Sequence, residues 1–139
     1  MLLSLPWTIL SLIAYNVIAF TGIAVADEGA SAAGVFDTVL FSMTLISGGT
    51  WTFTLGNLVL LLAFIALFVE ILKAVRTSSI ALVDHALSTV IFIVCLIEFL
   101  LVPQAATSLF FFIMITALID VIGGFSVGLT AARRDVGIG

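Results

Sequence analysis

Residues 58–69 read LVLLLAFIALFV, an unbroken apolar run that ends at Glu70. Widened to Gly56–Val75, it holds about twenty residues, enough to cross roughly 30 Å of hydrocarbon at about 1.5 Å per residue. Three further segments share this character, near Leu5 to Val25, Ser79 to Val102 and Ala106 to Thr130. Composition agrees. The 139-residue chain is 63% hydrophobic and 9% charged, with a mean hydropathy of +1.44, far from the usage of water-soluble domains. The expected fold is an all-α membrane protein, a four transmembrane helix bundle forming one integral membrane domain over residues 1–139.

The net charge of −4 is diffuse, which argues against a nucleic-acid surface. The four cations, Lys73, Arg76, Arg133 and Arg134, decide orientation. One pair precedes the turn between the second and third segments and the other follows the fourth, so both pairs fall on one side of the bilayer. By the positive-inside rule that side is the cytoplasm. Both termini are then cytoplasmic, and Asp27, Glu28 and Asp37 face outward. Trp7 and Trp51 fall near opposite interfaces, where amphipathic rings collect. Ala24-Val25-Ala26 resembles a signal-peptide cleavage site, but Met1–Pro6 carries no Lys or Arg and the apolar stretch is long for an h-region. The first segment is therefore read as retained.

The longest connection, Asp27 to Leu55, changes period in its second half. Phe41, Met43 and Leu45 alternate with Ser42 and Thr44, and beyond Ser47-Gly48-Gly49 the run Thr50-Trp51-Thr52-Phe53-Thr54-Leu55 is apolar at every second position. Two alternating runs about a glycine turn predict a β-hairpin over residues 39–55, with Trp51 and Phe53 on an interaction surface and hydroxyls opposite. It lies between the first and second membrane helices, on the periplasmic side. The competing reading is an interfacial helix over Val35 to Ile46.

A strand-bearing loop after the first of four helices resembles the claudin arrangement in outline. The claudin first-loop signature of two tryptophans around Gly-Leu with a cysteine pair is absent, since this loop offers Trp51 and no Cys, so the resemblance implies no function. As a whole the chain is similar in size and pattern to small four-span proteobacterial inner-membrane proteins, a resemblance that implies a multi-pass bacterial inner-membrane location and no particular activity.

Ionisable residues inside membrane segments are costly and usually face protein or water. Here they are Glu70, Asp84, His85 and Asp120, which share the cytoplasmic half and are expected to form an intramembrane polar network, and Glu98, an acid of the outer half. Asp120 or Glu70 is expected to pair with His85 or Lys73, and Asp84 to sit near headgroup water or cap its helix. Asp84, Ser88, Cys95 and Glu98 recur on one face of the third segment. Thr116, Asp120, Gly124 and Gly128 share a face of the fourth, and Gly124-Phe125-Ser126-Val127-Gly128 is a G-x-x-x-G helix-packing pattern. In the first segment Asn16 calls for an interhelical hydrogen bond more strongly than Tyr15 does.

Chemistry is sparsely represented. His85 is the only histidine and Cys95 the only cysteine, so no multi-His metal centre or internal disulfide is expected, and Cys95 reads as packing. The hydroxyls have no paired base. The expectation is a non-enzymatic structural or accessory component of a membrane assembly without cofactor, whose partners are the lipid bilayer and either its own copies or a larger membrane complex. The competing reading is a small proton- or cation-linked transporter or channel formed by an oligomer, with Asp120, Glu70 and His85 exchanging protons.

Overall fold

The computed structural model describes residues 5–25, 31–74 and 79–136, with side-chain surroundings described for 5–24, 31–74 and 83–126. Asp27, Glu28 and Arg76 lie outside the described residues. The elements run α1 (Thr8–Val25), α2 (Ala32–Phe36), β1 (Val39–Thr44), β2 (Thr50–Thr54), α3 (Leu55–Ala74), α4 (Ser79–Leu101), a 3-10 turn (Pro103–Ala105) and α5 (Ser108–Val136). Three stretches are long and apolar enough to cross a membrane: Leu55–Ala74, Val83–Leu101 and Ser108–Ser126. The apolar run of α1, Thr8–Ala24, is shorter. Among the long helices, α5 packs against α4 and α3, while α1 lies on α3 and also touches α5 and α4.

On α3, side-chain size is distributed in the reverse of a helix in a water-soluble bundle. On α3 the buried positions are Val59, Ala63, Ala66 and Glu70, one stripe at helical spacing. Its larger apolar side chains point outward, with Phe64 53%, Ile65 51% and Phe68 62% exposed. On α5, Phe110, Ile113, Thr116, Ala117 and Asp120 are buried, and Phe112, Ile119, Ile122 and Phe125 are exposed. Along α3, and around Thr116, Ala117 and Asp120 on α5, small and polar residues lie inside with bulky hydrocarbon outside, which suits lipid, because apolar burial does not drive helices together there and close backbone approach does. In water an apolar surface of this extent would drive aggregation.

The hairpin has the expected alternation. Antiparallel pairing sets Phe41 opposite Phe53, Met43 opposite Trp51, Ser42 opposite Thr52 and Thr44 opposite Thr50, with a bulge between Val39 and Phe41. At the tip, the Leu45 amide donates to the Gly49 carbonyl at 2.8 Å and the Gly48 amide to the Leu45 carbonyl at 2.9 Å. Ile46, Ser47 and Gly48 thus form the loop, and Gly48 sits at φ +82°, a left-handed conformation that favours glycine. Of the two glycines expected to make the turn, Gly48 carries the conformational demand, and Gly49 lies just before β2 with its carbonyl accepting from Leu45.

β2 runs straight into α3. The Thr54 amide and hydroxyl donate to the Asn57 side-chain oxygen at 2.9 and 3.1 Å, and the Asn57 amide donates back to the Thr54 hydroxyl at 3.3 Å. This is a capping box with Asn in place of the usual Glu or Gln. The Leu55 amide also donates to the Thr38 carbonyl at 2.8 Å, so the base of the hairpin is tied to the first turn of α3.

At the hairpin end of the helices, Tyr15 is fully buried. Its ring stacks on Phe36 at 4.6 Å and meets Phe110 edge-on at 4.8 Å. Its hydroxyl lies 2.7 Å from both the Gln104 carbonyl and the Thr107 hydroxyl. One side chain thereby joins α1 to α2, to α5 and to the turn between α4 and α5. Tyr15→Phe, which keeps the ring, is expected to cost about 1 kcal/mol, and Tyr15→Ala about 3–5 kcal/mol. Thermal unfolding in detergent micelles, followed by circular dichroism, checks the order and size of the two effects.

Candidate functional site

The buried polar groups gather at the other end of α3, around the start of α1. A lysine ammonium has three protons to place, and Lys73 has an acceptor for each. It donates to Glu70 Oε1 at 2.8 Å, to the Leu5 carbonyl at 3.1 Å, and to Asp84, whose Oδ2 is 3.0 Å and Oδ1 3.3 Å away. The pair with Glu70 follows from i, i+3 spacing on α3. The pair with Asp84 crosses to α4.

Glu70, only 3% exposed, uses both carboxylate oxygens, because Oε2 accepts from the Trp7 backbone amide at 3.0 Å. Trp7 immediately precedes α1, where backbone N–H groups have no intrahelical acceptor and the helix end carries partial positive charge. A carboxylate from α3 thus does for α1 what a capping side chain usually does. The second buried carboxylate, Asp120, accepts from the Thr8 hydroxyl at 3.2 Å and has Ser88 beside it. The Ser11 hydroxyl donates to the Thr8 carbonyl at 2.8 Å. The first turn of α1 is therefore held by acids from α3 and α5.

Two of the expected network members are placed differently from the sequence reading. Asp84 serves Lys73 and does not cap its own helix. His85 bonds to neither acid: its Nδ1 is buried without a hydrogen-bond partner among the described residues, and its ring stacks near Phe125 at 6.1 Å. The imidazole packs on α5 instead. A Cβ placed on Gly124 would fall 2.6 Å from His85 Nδ1, so the imidazole occupies the space that any other residue at 124 would fill. Gly124 thus receives a side chain of α4, a contact within one chain. Gly128 follows on α5, and its surroundings lie outside the described residues.

The remaining candidates are dispersed. Glu98 lies toward the hairpin end of α4, beside the Asn16 amide, which also donates to the Leu12 carbonyl of its own helix at 3.2 Å. Cys95 is buried in the apolar core. Trp51 and Phe53 lie on the hairpin, with their ring centres 5.7 Å apart. Among the described residues, no three His, Cys, Asp or Glu side chains are placed to hold a metal ion.

Sequence reasoning put Glu70, Asp84 and Asp120 at similar depth but missed Trp7, Leu5 and Thr8. The Trp7 and Leu5 contributions are backbone groups, which leave no trace in residue type. Thr8 does carry a signal, as a hydroxyl at the start of an apolar run. Comparison with known proteins finds no matching family model, no similar curated protein and no similar solved structure. Three helices long and apolar enough to cross a bilayer, with bulky hydrocarbon on their outer faces, are compatible with a membrane protein.

Removing the cation from this cluster leaves two carboxylates facing each other, one of them buried. Lys73→Met is expected to destabilise the fold by about 3–5 kcal/mol, and adding Glu70→Gln to it should recover part of the loss. The midpoint of unfolding in mixed micelles titrated with dodecyl sulfate reports both effects, and an unchanged midpoint for Lys73→Met would contradict the clamp.

Proposed function

We propose that this chain is a four-span bacterial inner-membrane protein with both termini cytoplasmic and the hairpin periplasmic, acting as a structural or accessory component of a membrane assembly. In this reading α1 completes the bundle as the fourth span. The observation that supports a structural role is the saturation of Lys73: every ammonium proton is committed to Glu70, Asp84 or Leu5. A conduction path needs groups that exchange partners. This cluster instead ties α1, α3 and α4 together, while the bulky apolar faces of α3 and α5 remain available to lipid or to neighbouring chains.

Native mass spectrometry after mild detergent extraction from the native membrane tests the proposal. A fixed ratio to a larger complex, or to further copies of the chain, is the expected result. A lone monomer at every protein concentration would contradict it.

A transporter or channel reading has one observation in its favour. Asp120 is buried, and its hydrogen-bond partners are hydroxyls, as befits a group that carries a proton. Under the structural reading Asp120→Asn leaves the proton permeability of reconstituted vesicles unchanged. A flux present in the parent protein and abolished by Asp120→Asn would favour transport.

A further inference from the structure

The β1–β2 hairpin leaves a large apolar surface uncovered among the described residues. Phe41, Met43 and Trp51 are 48%, 49% and 44% exposed, and Ile46 at the tip is fully exposed. Phe41 stacks on Phe53 at 5.0 Å and meets Trp51 edge-on at 5.6 Å, so one face is a continuous aromatic patch. The opposite face carries Ser42, Thr44, Thr50 and Thr52. From Thr38 to Val69, through the whole hairpin and most of α3, there is no charged residue.

We propose that the aromatic face of this hairpin rests on lipid, at the boundary between headgroups and acyl chains of the leaflet where α3 begins. The proposal rests on the reading of α3 as a membrane span, and four observations converge on lipid as the occupant. First, the capping box and the Leu55–Thr38 bond fix the hairpin to the end of a helix whose outward face is Leu58, Leu61, Leu62 and Ile65. The hairpin that carries the apolar patch is thus attached at the end of the helix that bears this exposed apolar surface. Second, Trp is the side chain that collects at membrane interfaces, where a ring can be half in hydrocarbon and half wet. Third, the hydroxyl face gives water and headgroups donors and acceptors without charge.

The fourth observation sets the depth. Both edges of a two-stranded sheet carry unpaired backbone groups, and these cannot be left in hydrocarbon, where nothing satisfies them. The hairpin therefore cannot dive into the bilayer and must lie at its surface. Because it has no cation, its attachment does not draw on anionic headgroups. In that respect it differs from a basic interfacial helix, whose binding grows with the negative charge of the membrane.

Trp51 reports on this directly. With Trp7→Phe, which keeps the backbone amide that Glu70 uses, Trp51 is the sole tryptophan. The protein is reconstituted in phosphatidylcholine vesicles carrying nitroxides either near the headgroup or at mid-chain, with and without phosphatidylglycerol. Emission shifted to the blue is expected, with quenching about twofold stronger by the shallow nitroxide than by the deep one, and no change on adding phosphatidylglycerol. If Trp7→Phe disturbs the fold, subtracting the signal of Trp51→Phe from that of the parent protein gives the same readout.

Quenching by aqueous iodide but not by either lipid label would overturn the proposal, placing the face in water. Blue emission that neither iodide nor lipid labels quench would also overturn it, because a second copy or another protein would then cover the patch. A companion chain with Trp7→Phe, Trp51→Phe and Phe64→Trp separates the two levels of the argument. Deep quenching at position 64 with no lipid quenching of Trp51 defeats the hairpin proposal alone, whereas no lipid quenching at either site defeats the membrane reading of α3.

Discussion

The Lys73 ammonium is the point on which the helix arrangement depends. One cation on α3 faces a carboxylate from its own helix, a carboxylate from α4 and a backbone carbonyl just before α1. Within a low-dielectric surround such a group is costly when unpaired, and its attraction to nearby carboxylates is stronger than in water. Its pairing therefore leaves little latitude in how the three helices slide or rotate. Glu70 extends the constraint by accepting the Trp7 amide, so the same carboxylate that neutralises Lys73 also caps α1.

The opposite end is held by different chemistry. Tyr15 combines two ring contacts with two short hydrogen bonds, and it fixes α1 against the turn that joins α4 to α5. Between the two ends, contacts are made by small residues, including Ala63 and Ala66 on α3 and Ala117 on α5. These allow the close approach that stabilises helices in lipid. On α5, Gly124 makes room for the His85 imidazole, which lets α4 come near.

Much of this was legible in the sequence, for reasons that can be given residue by residue. The apolar run at 58–69 located α3, and the period-two alternation at 41–55 located the hairpin, because each pattern follows from one backbone geometry. The pairing of Glu70 with Lys73 was one of the alternatives the sequence left open, beside Asp120 and His85. Other features were hidden because they depend on which loop meets which helix. Nothing local in Tyr15 points to Gln104 or Thr107, and α2 is too short to show a period. Depth and charge make His85 a natural partner for the acids, yet the rotation of α4 turns it toward Gly124 while Asp84, one residue earlier, turns toward Lys73.

The Trp7 backbone amide offers the most direct test of the clamp, since it lies ahead of α1 and its only described acceptor is a side chain from another helix. Hydrogen exchange at that amide, followed by nuclear magnetic resonance in lipid nanodiscs, is expected to be slow in the parent protein and markedly faster in Glu70→Ala. Exchange at Trp7 as fast as in an unstructured peptide, before any substitution, would contradict the account.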